Sequence, residues 1–287
     1  MSDNVPNPLS VNEVEFSTYY KPVSDEVELF IMEWRPVKPV HEEALIFIPG
    51  LVSVVDGWAD FLKAMVRIRP VFYIESREKR SARIKPKWLR PADFSIKQFA
   101  QDLIAVWGEL PLTLERAVVA GSSLGATSIV EALKHSQRNP RAAFLIGPNS
   151  EFKGPLPIKA LLFLPAPLYY VIKYVILWYL RTFRVDTKKE PEQWARYNAT
   201  LRSAQPLRLK MTARSAIRYE IWSDLETVSI PVGIAYATSD TLHAADNIRR
   251  LEQTMPRATL IPCSSNKYMH TAALVQDIEK FITELVE

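Results

Sequence analysis

The chain has 287 residues, 48% hydrophobic and 24% charged, with a formal net charge of +4. This is the composition of a globular protein long enough to bury a large core, suited to one α/β domain with an insertion or to two small domains. The single cysteine, Cys263, excludes an internal disulfide, and residues 1–8 lack the basic and apolar regions of a secretory signal, so a cytoplasmic protein is expected.

Val14–Tyr20 and Glu28–Trp34, separated by Lys21-Pro22-Val23-Ser24-Asp25, read as an antiparallel hairpin. Ala44–Ile48 is a continuous apolar run ending at Pro49-Gly50, the pattern of a parallel strand buried on both faces. Trp58–Ile68 has helical spacing, with Trp58, Phe61, Leu62 and Met65 on one face, and Val71–Ile74 is the next buried strand. Between residues 77 and 90 the chain carries Arg77, Lys79, Arg80, Arg83, Lys85, Lys87 and Arg90 against the single acid Glu78. That run reads either as a solvated basic loop or as a contact for anionic head groups, phosphates or an acidic carrier protein. No recognition motif accompanies the charge, so no nucleic-acid partner is expected.

Ser95–Leu110 reads as a helix, and Ala117–Ala120 as a strand that runs into Gly121-Ser122-Ser123-Leu124-Gly125. The helical stretch Ala126–Leu133 follows. A G-x-S-x-G pentapeptide between a strand and a helix is the context of a nucleophile elbow, a sharp turn that forces its serine into a strained conformation. The chain has only 8 glycines, so two at this spacing around Ser123 form a specific signal. Ala142–Ile146, Val232–Ala237 and Ala258–Pro262 read as further strands, and Thr271–Val286 as a closing amphipathic helix. Alternating strands and helices imply an α/β fold, a mostly parallel sheet flanked by helices on both faces.

The alternation breaks after residue 149. The expected organisation is a core of residues 1–149 and 230–287, with residues 150–229 inserted as a helical cap over the C-terminal ends of the strands. Leu156–Phe183 is strongly apolar, but its uncharged run Ala160–Ile172 is too short to cross a bilayer. It reads as the cap's own core, as the wall of an acyl pocket, or as an interfacial surface flanked by Lys159, Lys173, Arg181 and Arg184.

A serine hydroxyl needs a base, an acid to orient that base, and donors for the oxyanion. Of the four histidines, His41 precedes the Ala44 strand, His135 lies far along the helix behind the elbow, and His243 reads as a helix start. His270 alone follows the last strand and is the expected base. Asp240, just past the strand Val232–Ala237, is the expected acid, with Asp246 in reserve; the order Ser123, Asp240, His270 suits this fold. The backbone N–H groups of Leu51 and Leu124 are the expected oxyanion donors, and Gly50, Ser122 and Trp58 the expected substrate-binding residues.

On Ile48-Pro49-Gly50-Leu51 with Trp58 downstream, the elbow, Asp240 and His270, the chain resembles the α/β-hydrolase superfamily from about Val14 to its end. The resemblance implies an esterase, lipase or thioesterase that needs neither cofactor nor metal and works through an acyl-enzyme on Ser123. The chain departs from the family pattern at Pro49, where a histidine is common, and at residues 75–81, where the usual glycines are lost. The expected substrate is an acyl ester or lipid, with a peripheral membrane contact through the cap as a further expectation. A thioesterase for coenzyme A or carrier-protein conjugates, or a non-catalytic binding protein on the same fold, remain the alternatives.

Overall fold

The computed structural model describes residues 6–85, 89–152, 165, 168, 174, 177, 178, 182, 203–237 and 245–285. Its strands are β1 (Val14–Ser24), β2 (Val27–Pro36), β3 (Leu45–Ile48), β4 (Val71–Glu75), β5 (Arg83–Ile84), β6 (Val118–Ser122), β7 (Ala142–Ile146), β8 (Val232–Ala237) and β9 (Ala258–Cys263). They form one sheet in the order β1-β2-β4-β3-β6-β7-β8-β9, with the short β5 beside β2. The hairpin β1–β2 is antiparallel and joins β4 antiparallel, whereas every pair from β4 through β3 to β9 is parallel. β3, β6 and β7 are buried at every position, because helices cover both faces and leave no polar side for alternation to mark. β1, at the edge, is mostly half-exposed.

The α-helices that the described residues define from end to end are α1 (Ala59–Met65), α2 (Ile96–Glu109), α3 (Leu124–His135), α4 (Pro206–Ala216), α5 (Ala245–Thr254) and α6 (Ala273–Glu284). Successive strand residues point to opposite faces and feed two separate cores. Ile46, Val119, Leu145 and Ile234 pack with α2, α3 and α5. Phe47, Ala120, Phe144 and Ala235 pack with α1 and α6. Phe47 has no exposure, and its ring centroid lies 4.8 Å from that of Trp58, 5.3 Å from Phe61 and 5.8 Å from Tyr73. Truncating such a ring typically costs about 3–5 kcal/mol.

Because β3, β6, β7, β8 and β9 are parallel, the loops that follow them open at one edge of the sheet, where sheets of this kind bind ligands. Of the segment expected as a cap, α4 and the residues leading back to β8 are described, while most of Leu156–Phe183 lies outside the described residues. Arg208 of α4 donates through Nη1 to the carbonyls of Lys79 and Ala82, fastening this helix to the loop after β4. No described helix is long and apolar enough to cross a membrane.

The reading of residues 77–90 as a solvated basic loop is corrected at its start. Arg77, Glu78 and Lys79 are all buried. The Arg77 guanidinium forks onto both carboxylate oxygens of Asp102 on α2, with Nε donating at 2.5 Å, and Nη1 donates to Asp93 O at 2.8 Å. A charge run reads as surface because isolated charges resist burial. Here each cation meets acceptors that only the fold assembles.

Candidate active site

Ser123 sits between β6 and α3 with φ 48° and ψ −114°, a conformation sparsely allowed to a residue with a Cβ. Such strain costs about 1–3 kcal/mol and persists only where the surroundings impose it. Packing supplies that constraint. A Cβ on Gly125 would stand 2.3 Å from Ile48 O and 2.7 Å from Pro49 O, so the start of α3 lies directly against the end of β3. A Cβ on Gly121 would meet Ile129 Cδ1 at 2.6 Å and Ala126 N at 3.0 Å. The Ser123 N–H donates to Ile146 O at 2.9 Å, which ties the turn to the neighbouring strand.

Asn149, which sequence reasoning did not single out, donates through Nδ2 to Ser123 Oγ at 2.8 Å. It follows β7, the strand beside the elbow strand. Its backbone N–H donates to Thr127 Oγ1 at 3.0 Å, and that oxygen lies 3.1 Å from Ser123 O and 3.0 Å from Asn149 O. Thr127 thus holds elbow and asparagine together. The available signal was positional: a polar residue just beyond the C-terminal end of a strand adjacent to the nucleophile strand.

The loop after β3 forms a turn in which Ser53 N–H donates to Gly50 O at 3.1 Å. Leu51 occupies the second position of this turn, so its N–H is not consumed by the turn bond. Val52, in the third position, has φ 48°, where a type II turn prefers glycine. Leu124 opens α3, and an α-helix leaves the N–H groups of its first turn without intrahelical acceptors. A Cβ on Gly50 would crowd Ser122 Oγ at 3.2 Å and Ser122 O at 3.3 Å, so this turn rests on the elbow.

His270 ends a short 3-10 turn, Tyr268–His270, after β9. Its Nδ1 lies 3.1 Å from Gly57 O, and its ring is 4.0 Å from that of Trp58, centroid to centroid. A carbonyl oxygen only accepts, so in this contact Nδ1 carries the proton. Ser123 and His270 therefore border one stretch of chain, with Gly50 against the serine and Gly57 and Trp58 against the histidine. The hydrogen-bond partner of Ser123 Oγ is Asn149. Asp240 and His243 lie outside the described residues.

Other expected residues fall elsewhere. Trp58 is 1% exposed, packs on Phe47 and Phe61, and donates through Nε1 to Ser53 Oγ at 2.9 Å. On this packing Trp58 braces the histidine loop, its ring 4.0 Å from that of His270. Ser122 is also buried and packs the elbow against the Gly50 turn. Asp246 is exposed on α5. His41 contacts Glu279 at 3.1 Å and His135 contacts Glu131 at 3.4 Å, each within an ion-pair cluster of its own. Burial pushes the Cys263 thiol up to about 11, with Asp277 adding to the effect, so the cysteine is not a nucleophile near neutral pH.

Beside the elbow, Phe94, Ile96, Phe99 and Leu124 form a separate apolar cluster, against which Leu51, Phe152 and Met211 pack. Both expected oxyanion residues thus border an apolar surface that α4 helps to cover.

No protein-family model matches the sequence, and no curated protein is significantly similar to it. The fold, however, is shared with many solved structures. The enol-lactonase from Burkholderia xenovorans LB400 superposes with a TM-score of 0.74 over 92% of this chain and 100% of its own, at 14% identity. A hydrolase from Pseudomonas aeruginosa PA01 gives 0.71 at 15% identity, covering 94% of this chain and 98% of its own. A thermophilic esterase from Thermogutta terrifontis gives 0.70 at 14%, again covering 94% and 98%. The architecture is the α/β-hydrolase fold.

Proposed function

We propose that this protein is a serine hydrolase that cleaves carboxylic esters of apolar acyl groups through an acyl-enzyme on Ser123. The observation that carries this reading is the strained elbow, which presents Ser123 at the open edge of the sheet with an amide donor 2.8 Å from its Oγ. Strain of this kind needs a reason, and nucleophile presentation supplies one. Similar solved structures that are lactonases and esterases by name support the same reaction class.

In this reading His270 Nε2 takes the Ser123 hydroxyl proton as Oγ bonds to the ester carbonyl carbon. The carbonyl electron pair moves onto oxygen, and the Leu51 and Leu124 N–H groups stabilise that charge. Collapse breaks the bond to the alcohol, which leaves with the proton held by His270. Water repeats the sequence on the acyl-enzyme and releases the acid. Asp240 is assigned as the carboxylate that balances the imidazolium charge, while Gly57 O holds the Nδ1–H. Asn149, donating to Ser123 Oγ, holds the hydroxyl in one orientation for the attack. The apolar surface around Leu51, Leu124, Phe152 and Met211 supports an acyl substrate, and the exposed Leu168, Tyr174 and Trp178 support a lipid-facing cap. For the thioester alternative, Arg77 and Lys79 are spent on internal contacts, which leaves exposed Arg80, Arg83 and Lys85 as the cations it would use.

A panel of p-nitrophenyl esters and matched thioesters of increasing chain length tests the reading. Ester turnover that rises from acetyl to longer acyl groups is expected; no turnover of any member would overturn it. Asn149→Ala is expected to lower kcat about two- to tenfold with KM little changed, because a hydrogen bond that orients the hydroxyl is worth about 0.5–1.5 kcal/mol. Steady-state kinetics on the best ester checks this.

A further inference from the structure

Lys79 is 7% exposed, and its ammonium is satisfied inside the fold. Nζ donates to Gly50 O at 2.8 Å and to Ser53 O at 2.8 Å, and lies 3.2 Å from Glu78 Oε1. The two carbonyls accept two of the ammonium's three protons, and the Glu78 carboxylate lies beside it as an ion pair. The two carbonyls are the ends of the Gly50–Ser53 turn, so one side chain clamps the turn that holds Val52 at φ 48°. The contact has a second consequence. Gly50 C=O and Leu51 N–H belong to the same peptide group. A cation on that oxygen draws electron density from the amide and makes its N–H a stronger donor, since hydrogen bonds in a chain polarise one another in a low-dielectric interior.

We propose that Lys79 is a positioning residue for the oxyanion site: it fixes the Gly50–Ser53 turn and, through the Gly50–Leu51 peptide, strengthens the Leu51 N–H toward the charge that forms on the substrate carbonyl. This rests on the serine-hydrolase reading. It also explains why the loop after β4 carries a buried lysine where the sequence pattern read as surface charge.

The test is a double-mutant cycle in the full chain with Lys79→Gln and Leu51→Pro. Proline suits the second position of a type II turn and removes the N–H in question. Leu51→Pro is expected to lower kcat about 100-fold, as loss of one oxyanion donor does, with KM within about twofold. Lys79→Gln is expected to lower kcat about tenfold in the parent and by less than about twofold in the Leu51→Pro background, since its effect travels through that amide. Equal losses from Lys79→Gln in both backgrounds would reduce the lysine to a structural role and overturn the proposal, as would an unchanged kcat in either single variant. Affinity for an alkyl boronic acid, whose serine adduct is a tetrahedral anion, is expected to fall in parallel with kcat, while affinity for the product acid is kept. Should Lys79→Gln fail to fold, Lys79→Arg serves as the second variant. It keeps the charge but cannot place one nitrogen between both carbonyls, and a kcat equal to the parent's would likewise overturn the proposal. A parent protein with no esterase turnover and no fluorophosphonate labelling is a separate result, one that removes the hydrolase reading itself.

Discussion

Ser123→Ala is expected to lower kcat by roughly 10⁴-fold or more, the scale seen when a catalytic nucleophile is removed, and to abolish labelling by a fluorophosphonate probe. The side chain lost is one hydroxyl, so the fold remains. The elbow is held by the Ser123 N–H bond to Ile146 O and by the Gly125 contact with β3, and neither involves Oγ. A companion variant separates strain from chemistry. Ser123→Gly loses the same nucleophile but relieves the φ of 48°, which glycine adopts freely. The strain relieved is about 1–3 kcal/mol and the added chain entropy about 0.5–1 kcal/mol, so the glycine variant is expected to melt about 2 °C above the alanine variant. Differential scanning calorimetry beside the labelling assay reads both quantities. Label retained in Ser123→Ala would place the reactive group elsewhere and end the acyl-enzyme account.

Gly125→Ala is expected to destabilise the protein by about 3 kcal/mol or more, a fall in Tm of about 6–12 °C. The added methyl would lie 2.3 Å from Ile48 O, 2.7 Å from Pro49 O and 2.9 Å from Ile48 C. All three are backbone atoms of the strand end that leads into the Gly50 turn, so no side-chain rotation can make room. The variant that folds is expected to lose activity as well, because moving α3 from β3 separates the Leu124 and Leu51 donors. Gly121→Ala meets a movable Ile129 methyl first and backbone at 3.0 Å, and its cost falls between this and zero. Gly108→Ala is the control. That glycine is in α2 with nothing within 4 Å of the new atom, so alanine is expected to stabilise the helix by about 0.5–1 kcal/mol. Urea denaturation of the three variants gives the ranking, and a neutral Gly125→Ala would refute the packing argument for the elbow.

Lys79 and Trp58 show where sequence reading stops. Lys79 lies in a run with seven basic residues and one acid, and local composition makes it surface. Two carbonyls from residues 50 and 53 turn it into an interior clamp, and nothing within several residues of position 79 announces them. Trp58 sits at a spacing that marked one face of a helix, and the fold sets it against Phe47 and His270. Asn149 carries no motif and was missed for the same reason.

The α/β architecture, the helix-covered parallel strands and the elbow were all legible in the chain. Each is a relation among covalent neighbours: a run of apolar residues has one way to be a doubly buried strand, and two glycines around a serine permit one kind of turn. Which polar groups meet at the open edge was decided only by the tertiary structure. Asn149 on Ser123, Gly57 on His270 and Lys79 on the Gly50 turn join residues 26, 213 and 29 positions apart. Contacts of that range depend on how strands are ordered and how closely their ends approach, and side-chain identity encodes this only through the packing of the whole sheet.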